Sequence, residues 1–152
     1  VPIGSQVFGI PDAIGSTGIL FDLETDLEQV ADFINSNIGW ISTSGGGIFA
    51  TTDGGANWSL QKSVGSEIRK IHFIDSSNGW AVGFNGIILK TTDGGSTWNS
   101  GTINLGDTDL GIAMICAISS TTAWAVGYPR VSGDVGGIWK TTNGGMPSCI
   151  RP

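Results

Sequence analysis

The sequence has few charged residues: Lys, Arg, Asp and Glu make up 13% of its 152 residues, below the roughly 25% of an average soluble domain. Seven basic residues against 13 acidic ones give a net charge of −6, which excludes the basic surface needed to bind nucleic acid phosphates or an anionic membrane. No apolar run approaches the roughly 20 residues of a membrane span. We therefore expect no nucleic acid partner and no membrane-spanning segment.

Residues that commonly carry metal or acid–base chemistry are also scarce. The chain has one His, one Tyr and two Cys, and these are not spaced as a zinc site or as a Ser-His-Asp site. We therefore expect no metal, no cofactor and no enzymatic activity. Cys116 and Cys149 form either one disulfide in an oxidising compartment or two separate thiols, and the sequence leaves both open.

Glycine and large apolar side chains, by contrast, are abundant. The 25 Gly supply the positive φ angles that tight turns demand, and six Trp with six Phe supply a core. This profile is typical of an all-β protein. The chain begins at Val1 with no basic and apolar leader, which indicates either a removed signal peptide or a fragment. We expect export, to the cell surface, the extracellular space, the periplasm or a lumen.

An internal repeat organises the chain. Segment 33–58 recurs at 73–98 with a constant offset of forty residues and no gap, and a third copy with a longer middle runs from 115 to 145. Each complete copy reads as four short strands separated by turns, which is the make-up of one propeller blade. We predict an all-β fold of β-propeller-type blades, each of four antiparallel strands, in an incomplete ring of about three blades.

The repeat also sets the predicted domain limits. Blade 1 spans 30–69, blade 2 spans 70–114, and blade 3 spans 115–152 and is truncated, because the sequence departs from the repeat after 145. Residues 1–29 form an N-terminal segment that supplies a strand to another blade.

The first two copies carry the pattern Ser/Thr-x-Asp-x-Gly-x-x-Trp, known as the Asp box. We expect a structural role: the carboxylate accepts hydrogen bonds from its own turn, the Gly takes a conformation that other residues resist, and the Trp covers the hairpin. One carboxylate per turn is a poor calcium site. The residues that fit are Thr51, Asp53, Gly55 and Trp58 in the first copy and Thr91, Asp93, Gly95 and Trp98 in the second. In the third copy Thr141, Asn143 and Gly145 make a similar but uncharged version, with Ser148 in place of the Trp.

The stretch Ser76 to Trp98 resembles the repeat of the photosystem II stability/assembly factor family and of bacterial BNR/Asp-box proteins. The resemblance covers roughly residues 30–145 and implies a closed ring of about seven blades. Such repeats also occur in sialidases and other glycosidases, so the motif indicates the fold more specifically than the function.

We interpret the chain as a non-enzymatic, exported binding or scaffold module with a protein or glycan partner. The six-residue insertion within 128–135 interrupts the repeat, and its Tyr128, Arg130 and Asp134 are candidates for a recognition loop.

Two alternatives remain. A blade stack that does not close exposes apolar faces, which favours self-association and a self-assembling filament or sheath subunit. A sialidase-like glycosidase fragment would need a Tyr nucleophile and an Arg cluster, for which Tyr128 and the three arginines Arg69, Arg130 and Arg151 are the candidates.

Overall fold

A computed structural model describes residues 30–102, 110–129, 136–145 and 148–150, and within them twelve strands form three separate four-stranded antiparallel sheets. The predicted all-β, blade-like architecture is confirmed. No helix among the described residues is long and apolar enough to cross a membrane. The strands are β1 (Val30–Phe33), β2 (Gly39–Ser42), β3 (Gly47–Thr51), β4 (Ser59–Ser63), β5 (Ile68–Phe73), β6 (Gly79–Gly83), β7 (Ile87–Thr91), β8 (Asn99–Thr102), β9 (Leu110–Ala117), β10 (Ala123–Pro129), β11 (Gly137–Thr141) and β12 (Ser148–Ile150).

Each sheet is a meander in which strands that follow one another in sequence lie side by side, in the orders β1-β2-β3-β4, β5-β6-β7-β8 and β9-β10-β11-β12. Tight turns make these connections. At the β6–β7 hairpin, Asn85 and Gly86 have φ angles of 57° and 66°, the left-handed conformations that an Asn-Gly pair adopts readily. An Asn-Gly pair between two short strands is also a strong sequence signal for a hairpin, and the structure has one here.

The sheets begin earlier in the sequence than the repeat indicated. β5 starts at Ile68, which is fully buried, so the predicted boundary after residue 69 cuts through the first strand of the second sheet. β9 starts at Leu110 because its pairing with β10 continues beyond the register shift at Val126/Gly127, as far as the pair Leu110 and Pro129. The predicted boundary after residue 114 therefore cuts through β9.

The third repeat is not truncated in its strands. β12 pairs with β11, with Cys149 opposite Trp139, and completes a four-stranded sheet. The predicted N-terminal strand within residues 1–29 lies outside the described residues.

The three sheets stack face to face, and the second sheet lies between the other two. Every residue of β6 is buried, since its side chains alternate between the two neighbouring sheets. Two apolar layers result. One joins sheets one and two and contains Trp40, Ile48, Ile68, Ile71, Phe73, Ala81, Leu89 and Trp98. The other joins sheets two and three and contains Trp80, Val82, Ile88, Ile112, Ile115, Ala117, Ala123, Ala125 and Trp139.

Hydrogen bonds also cross between the first strands of neighbouring sheets. The backbone N–H of Phe73 in β5 donates to Oδ2 of Asp32 in β1 at 2.6 Å. His72 in β5 lies 3.2 Å, through Nε2, from the carbonyl oxygen of Ala117 in β9. A carbonyl can only accept, so Nε2 carries the hydrogen. Asp32 and His72 occupy equivalent positions in the repeat, forty residues apart, and each connects its own sheet to the next one.

The structure contradicts the disulfide alternative. Cys116 lies on β9 and Cys149 on β12, the two opposite edges of the third sheet. Three steps of roughly 4.8 Å separate these edge strands, whereas the Cα atoms of a disulfide lie at most about 6.8 Å apart. Cys116 is a free, exposed thiol.

Candidate functional site

The turn between β3 and β4 is held by its own side chains. The Thr51 hydroxyl donates to Oδ1 of Asp53 at 2.8 Å and accepts the backbone N–H of Gly55 at 2.9 Å. The Asp53 carboxylate also accepts the backbone N–H and the side-chain amide of Asn57, at 2.9 and 2.7 Å. The carboxylate is therefore engaged locally.

The turn between β7 and β8 repeats this arrangement. Thr91 donates to Asp93 at 2.8 Å and accepts the N–H of Gly95 at 2.8 Å, and Thr97 takes the place of the amide donor through its hydroxyl and its N–H. In the third turn the Thr141 hydroxyl donates to Oδ1 of Asn143 at 3.1 Å, and Asn143 accepts the N–H of Gly145 at 2.9 Å. We call 51–55, 91–95 and 141–145 the repeat turns.

These hydrogen bonds make the two Asp residues of the turns stronger acids. Donation from the Asn57 side chain, with smaller effects from its N–H and from Thr51, lowers the pKa of Asp53 from 3.8 to about 2. The Thr97 hydroxyl, followed by its N–H, lowers the pKa of Asp93. Both carboxylates are therefore ionised at neutral pH, which makes them poor general acids.

The first loop of each sheet supports the repeat turn, a feature that the sequence reasoning missed. In each sheet the fourth residue of the repeat turn donates its N–H to a carbonyl of the loop between the first two strands: Gly54 to Asn37 at 2.8 Å, Gly94 to Ser77 at 2.9 Å and Gly144 to Thr121 at 2.8 Å. The loops are closed by an acceptor side chain near their start, namely Asn35, Asp75 and Ser119. The forty-residue spacing of Asn35 and Asp75 is the sequence signal from which these loops could have been predicted.

Neighbouring sheets meet at these turns. Trp40 of β2 stacks on Phe73, with ring centroids 3.4 Å apart and planes 4° from parallel, and its Nε1 donates to the Gly94 carbonyl at 3.0 Å. At the next interface, Nζ of Lys90 donates to the carbonyl of Gly144 at 2.7 Å. Burial lowers the pKa of this ammonium group.

An open groove lies beside the interface between sheets one and two and has a volume of about 490 Å³, a size that suits a short peptide segment. It is the candidate binding site. Its described lining contains no Lys or Arg and holds two ionised carboxylates. The lining residues are Ile38, Trp40, Ala50, Thr51, Thr52, Asp53, Asn57, Trp58, Ser59, Gln61, Ser76, Asp93, Gly94 and Ser96.

The candidate recognition residues lie elsewhere. Tyr128 is 44% exposed on β10, and its hydroxyl lies 3.5 Å from the guanidinium of Arg69. Arg69 also pairs with Glu67 at 3.1 Å and lies 4.9 Å from the ring centroid of Phe84. Arg130 and Asp134, together with Arg151 of the sialidase alternative, lie outside the described residues. Their roles stay predictions.

No three His, Cys, Asp or Glu side chains cluster as metal ligands within the described part of the chain. The repeated four-stranded sheets and their turns place the chain among β-propeller repeat proteins.

The family model described as "Photosynthesis system II assembly factor YCF48" matches residues 59–147, more than half of the chain. The chain belongs to this family. A comparison with curated proteins gave no significant match.

Two solved structures extend this result. One is described as "YCF48 bound to D1 peptide": it is 26% identical with a TM-score of 0.61, and the match covers 79% of this chain and 38% of that one. YCF48 from Cyanidioschyzon merolae is 19% identical with a TM-score of 0.52, covers 74% of this chain and 36% of its own, and is evidence for the fold alone. The chain thus spans little more than a third of either relative.

Proposed function

We propose that this chain is part of a non-enzymatic module that binds an extended segment of a client protein. The observation that carries the proposal is its membership in an assembly-factor family, together with its likeness to a family structure solved with a D1 peptide bound. A repeat scaffold with rigid turns suits such a role, because clefts between packed elements can hold a peptide without a change of backbone.

We assign the client segment to the groove between sheets one and two. The groove has the partly exposed Trp58 and Ile38 for apolar contact and the ionised carboxylates of Asp53 and Asp93 for charge. Both carboxylates are strongly hydrogen-bonded to their own turns, so they contribute a negative field rather than specific hydrogen bonds. The groove therefore favours a segment with a Lys or Arg beside an apolar side chain.

The test is a titration of the chain with the D1 peptide, followed by intrinsic Trp fluorescence or calorimetry. Ser76→Arg places a long cationic side chain on the exposed groove lining and should weaken binding at least about tenfold, which corresponds to about 1.4 kcal/mol. Ser100→Arg on β8 makes the same exchange at an exposed position outside the lining and should leave the affinity unchanged. No binding at all would overturn the proposal, and equal weakening by both variants would overturn the assignment to the groove.

One observation favours a second candidate, the sialidase-like activity. The structure brings Tyr128, Arg69 and Glu67 together, and these are the residue types that such chemistry uses. The Arg69 guanidinium is already engaged by Glu67 and Phe84, which leaves it poorly placed for a substrate carboxylate. Hydrolysis of a fluorogenic sialoside that disappears in Tyr128→Phe would replace the binding proposal with this one.

Export and glycan recognition are further parts of the proposal. Export rests on the sequence, and glycan recognition rests on the partly exposed Trp58 of the groove, since sugar rings pack on indole faces. Loss of D1 peptide binding in the presence of a mixture of free sugars would place a glycan in the same groove.

A further inference from the structure

One position of the repeat differs between the first sheet and the other two. It lies on the third strand of each sheet, opposite the Trp of the second strand, and its residues are Ala50, Lys90 and Lys140. In the second and third sheets the ammonium group lies over that indole, 5.1 Å from the ring centroid of Trp80 and 5.0 Å from that of Trp124. The first sheet has only a methyl group at this position.

The ammonium group of Lys90 shows what lies within reach of this position. Its Nζ crosses to the third sheet and donates to the carbonyl oxygens of Ser120 and Gly144, at 2.9 and 2.7 Å. An ammonium group has three donors and no acceptor, so a pair of carbonyl oxygens suits it. A loop and a repeat turn of one sheet thus form a small ammonium subsite, and the neighbouring sheet fills it with its own Lys.

The second sheet presents the same pair of carbonyl groups to the first sheet. Ser76 and Gly94 are the equivalents of Ser120 and Gly144, because in both sheets the glycine donates its N–H to the residue after that serine, at 2.9 and 2.8 Å. The φ angles of the two glycines are also alike, at 73° and 71°. The backbone that holds the Lys90 ammonium at the second interface is therefore repeated at the first.

At the first interface this pair of carbonyl groups borders the client groove. Ala50, Ser76 and Gly94 all belong to the groove lining. The methyl group of Ala50 cannot donate a hydrogen bond. The carbonyl oxygen of Gly94 accepts one from Trp40 and has a second lone pair. The subsite is therefore present at both interfaces, but at the first the facing strand supplies no ammonium group.

The charges around the two subsites also differ. The first lies between turns that carry Asp53 and Asp93, whereas the second lies between Asp93 and the uncharged Asn143. Both carboxylates are ionised at neutral pH, since hydrogen bonds within their turns lower the pKa of each. A cation in the first subsite therefore meets one more negative charge than Lys90 meets in the second.

We propose that the groove binds a primary ammonium group of its client between the carbonyl oxygens of Ser76 and Gly94, where Lys90 places its own ammonium at the next interface. This inference rests on the proposed function and adds the chemical group that the groove selects. An ammonium group concentrates its charge and donors on one atom, whereas guanidinium is a broad planar fork shaped for carboxylates and phosphates. The groove therefore selects Lys over Arg and over an apolar side chain of equal length.

Substitution of Ala50 tests the subsite in the absence of any client. Ala50→Lys installs the residue of the other two sheets, so the variant should fold, and its ammonium should reach both carbonyl oxygens. Ala50→Met is the matched control, with a similar length and no donor. The urea midpoint of Ala50→Lys at neutral pH should be the higher of the two. Equal midpoints, or a higher midpoint for Ala50→Met, would overturn the proposal.

Four tripeptides test the selectivity of the groove in the wild-type chain. They are acetyl-Leu-Lys-Leu-amide, its counterparts with Arg and with norleucine in place of Lys, and Leu-Leu-Leu-amide with a free N-terminal amine. The NMR shifts of the Ser77 and Gly95 amides, which follow the two carbonyl groups, report binding. The Lys peptide should bind at least about tenfold more tightly than the norleucine peptide, with the Arg peptide between them. Ala50→Lys should abolish this preference, because its own ammonium fills the subsite.

The free amine distinguishes the two sources of an ammonium group. If Leu-Leu-Leu-amide binds more tightly than the Lys peptide, the subsite takes a chain terminus rather than a Lys side chain. Equal affinities for the Lys, norleucine and free-amine peptides would overturn the proposal.

Titration with the D1 peptide is a separate measurement. D1 peptide binding without any preference for an ammonium group would leave the client proposal standing and refute this one. A preference for the Lys peptide together with a higher midpoint for Ala50→Lys, but without D1 peptide binding, would do the reverse.

Discussion

Trp40 donates a hydrogen bond from its indole nitrogen to the carbonyl oxygen of Gly94, 3.0 Å away, and this bond ties the first sheet to the repeat turn of the second. The same indole stacks on Phe73 within the apolar layer between the two sheets. A single side chain therefore combines apolar burial with the hydrogen bonding of a turn at the edge of the groove.

Two substitutions of this indole should destabilise the protein to different degrees. Trp40→Ala removes both the ring and the hydrogen bond and should cost about 3–5 kcal/mol in the free energy of unfolding. Trp40→Phe keeps a ring for Phe73 and should lose roughly 1–3 kcal/mol, because the Gly94 carbonyl loses its donor. Urea unfolding measures both values. Equal losses for the two variants would contradict the stacking role.

Lys90 should have a comparable role between the second and third sheets. Its Nζ donates to the carbonyl oxygens of Ser120 and Gly144 at 2.9 and 2.7 Å, and Lys90→Met should leave both without this donor, at a cost of about 1–3 kcal/mol. Lys62→Met, on β4 of the first sheet, is the matched control and should change little. Urea unfolding measures the free energy of unfolding of both variants. Similar losses of stability for the two would refute the role of Lys90.

Acid should weaken the fold through the repeat turns. The pKa of Asp53 is lowered from 3.8 to about 2 in the folded chain, so the folded state holds fewer protons than the unfolded state between these values. The stability from this group is therefore complete above about pH 4 and is lost as the pH falls toward 2. Asp93 acts in the same direction. The urea midpoint should fall over this range.

Asp53→Asn provides the control for the acid effect. The variant keeps an oxygen acceptor but cannot titrate, as in the third turn, where Asn143 accepts the N–H of Gly145. Its urea midpoint should be lower than that of the wild type at pH 7 and should fall less between pH 4 and 2. A pH dependence as steep as that of the wild type would show that Asp53 does not contribute.

Both cysteines should be free thiols. Cys116 and Cys149 lie on opposite edges of the third sheet, so no intrachain bridge forms without rearrangement of its strands. Alkylation of the unreduced, denatured chain should add two labels per molecule, as measured by intact mass. A chain that takes up no label before reduction would contradict the strand order.

The blade architecture could be predicted from the sequence because it depends on local signals. The recurrence of segment 33–58 forty residues later fixed the strand number, and the Asn85-Gly86 pair marked its hairpin. Strand ends were less predictable. β5 includes Ile68 because that side chain is buried in the layer between the first two sheets, and β9 is lengthened by pairing with β10 beyond a bulge at Ala113. Neither effect is visible within one repeat.

The candidate site could not be predicted, because it lies between repeats. The Thr51 and Asp53 pattern indicated a turn, but the groove exists only where turns from two sheets face each other. The contacts of Trp40 with Gly94 and of Asp32 with Phe73 likewise join residues that are 54 and 41 positions apart. A repeat shows which residues are equivalent, whereas the packing of its copies decides what they touch.

The most direct test of the binding account is amide hydrogen exchange with and without the D1 peptide. Because the segment should lie in the groove, its binding should slow exchange at Asn57, Ser59, Gly94 and Ser96 and leave Tyr128 unchanged. Protection confined to these amides would support a client-binding groove between the first two sheets. Protection at Tyr128 alone, or unchanged exchange at saturating peptide, would contradict it.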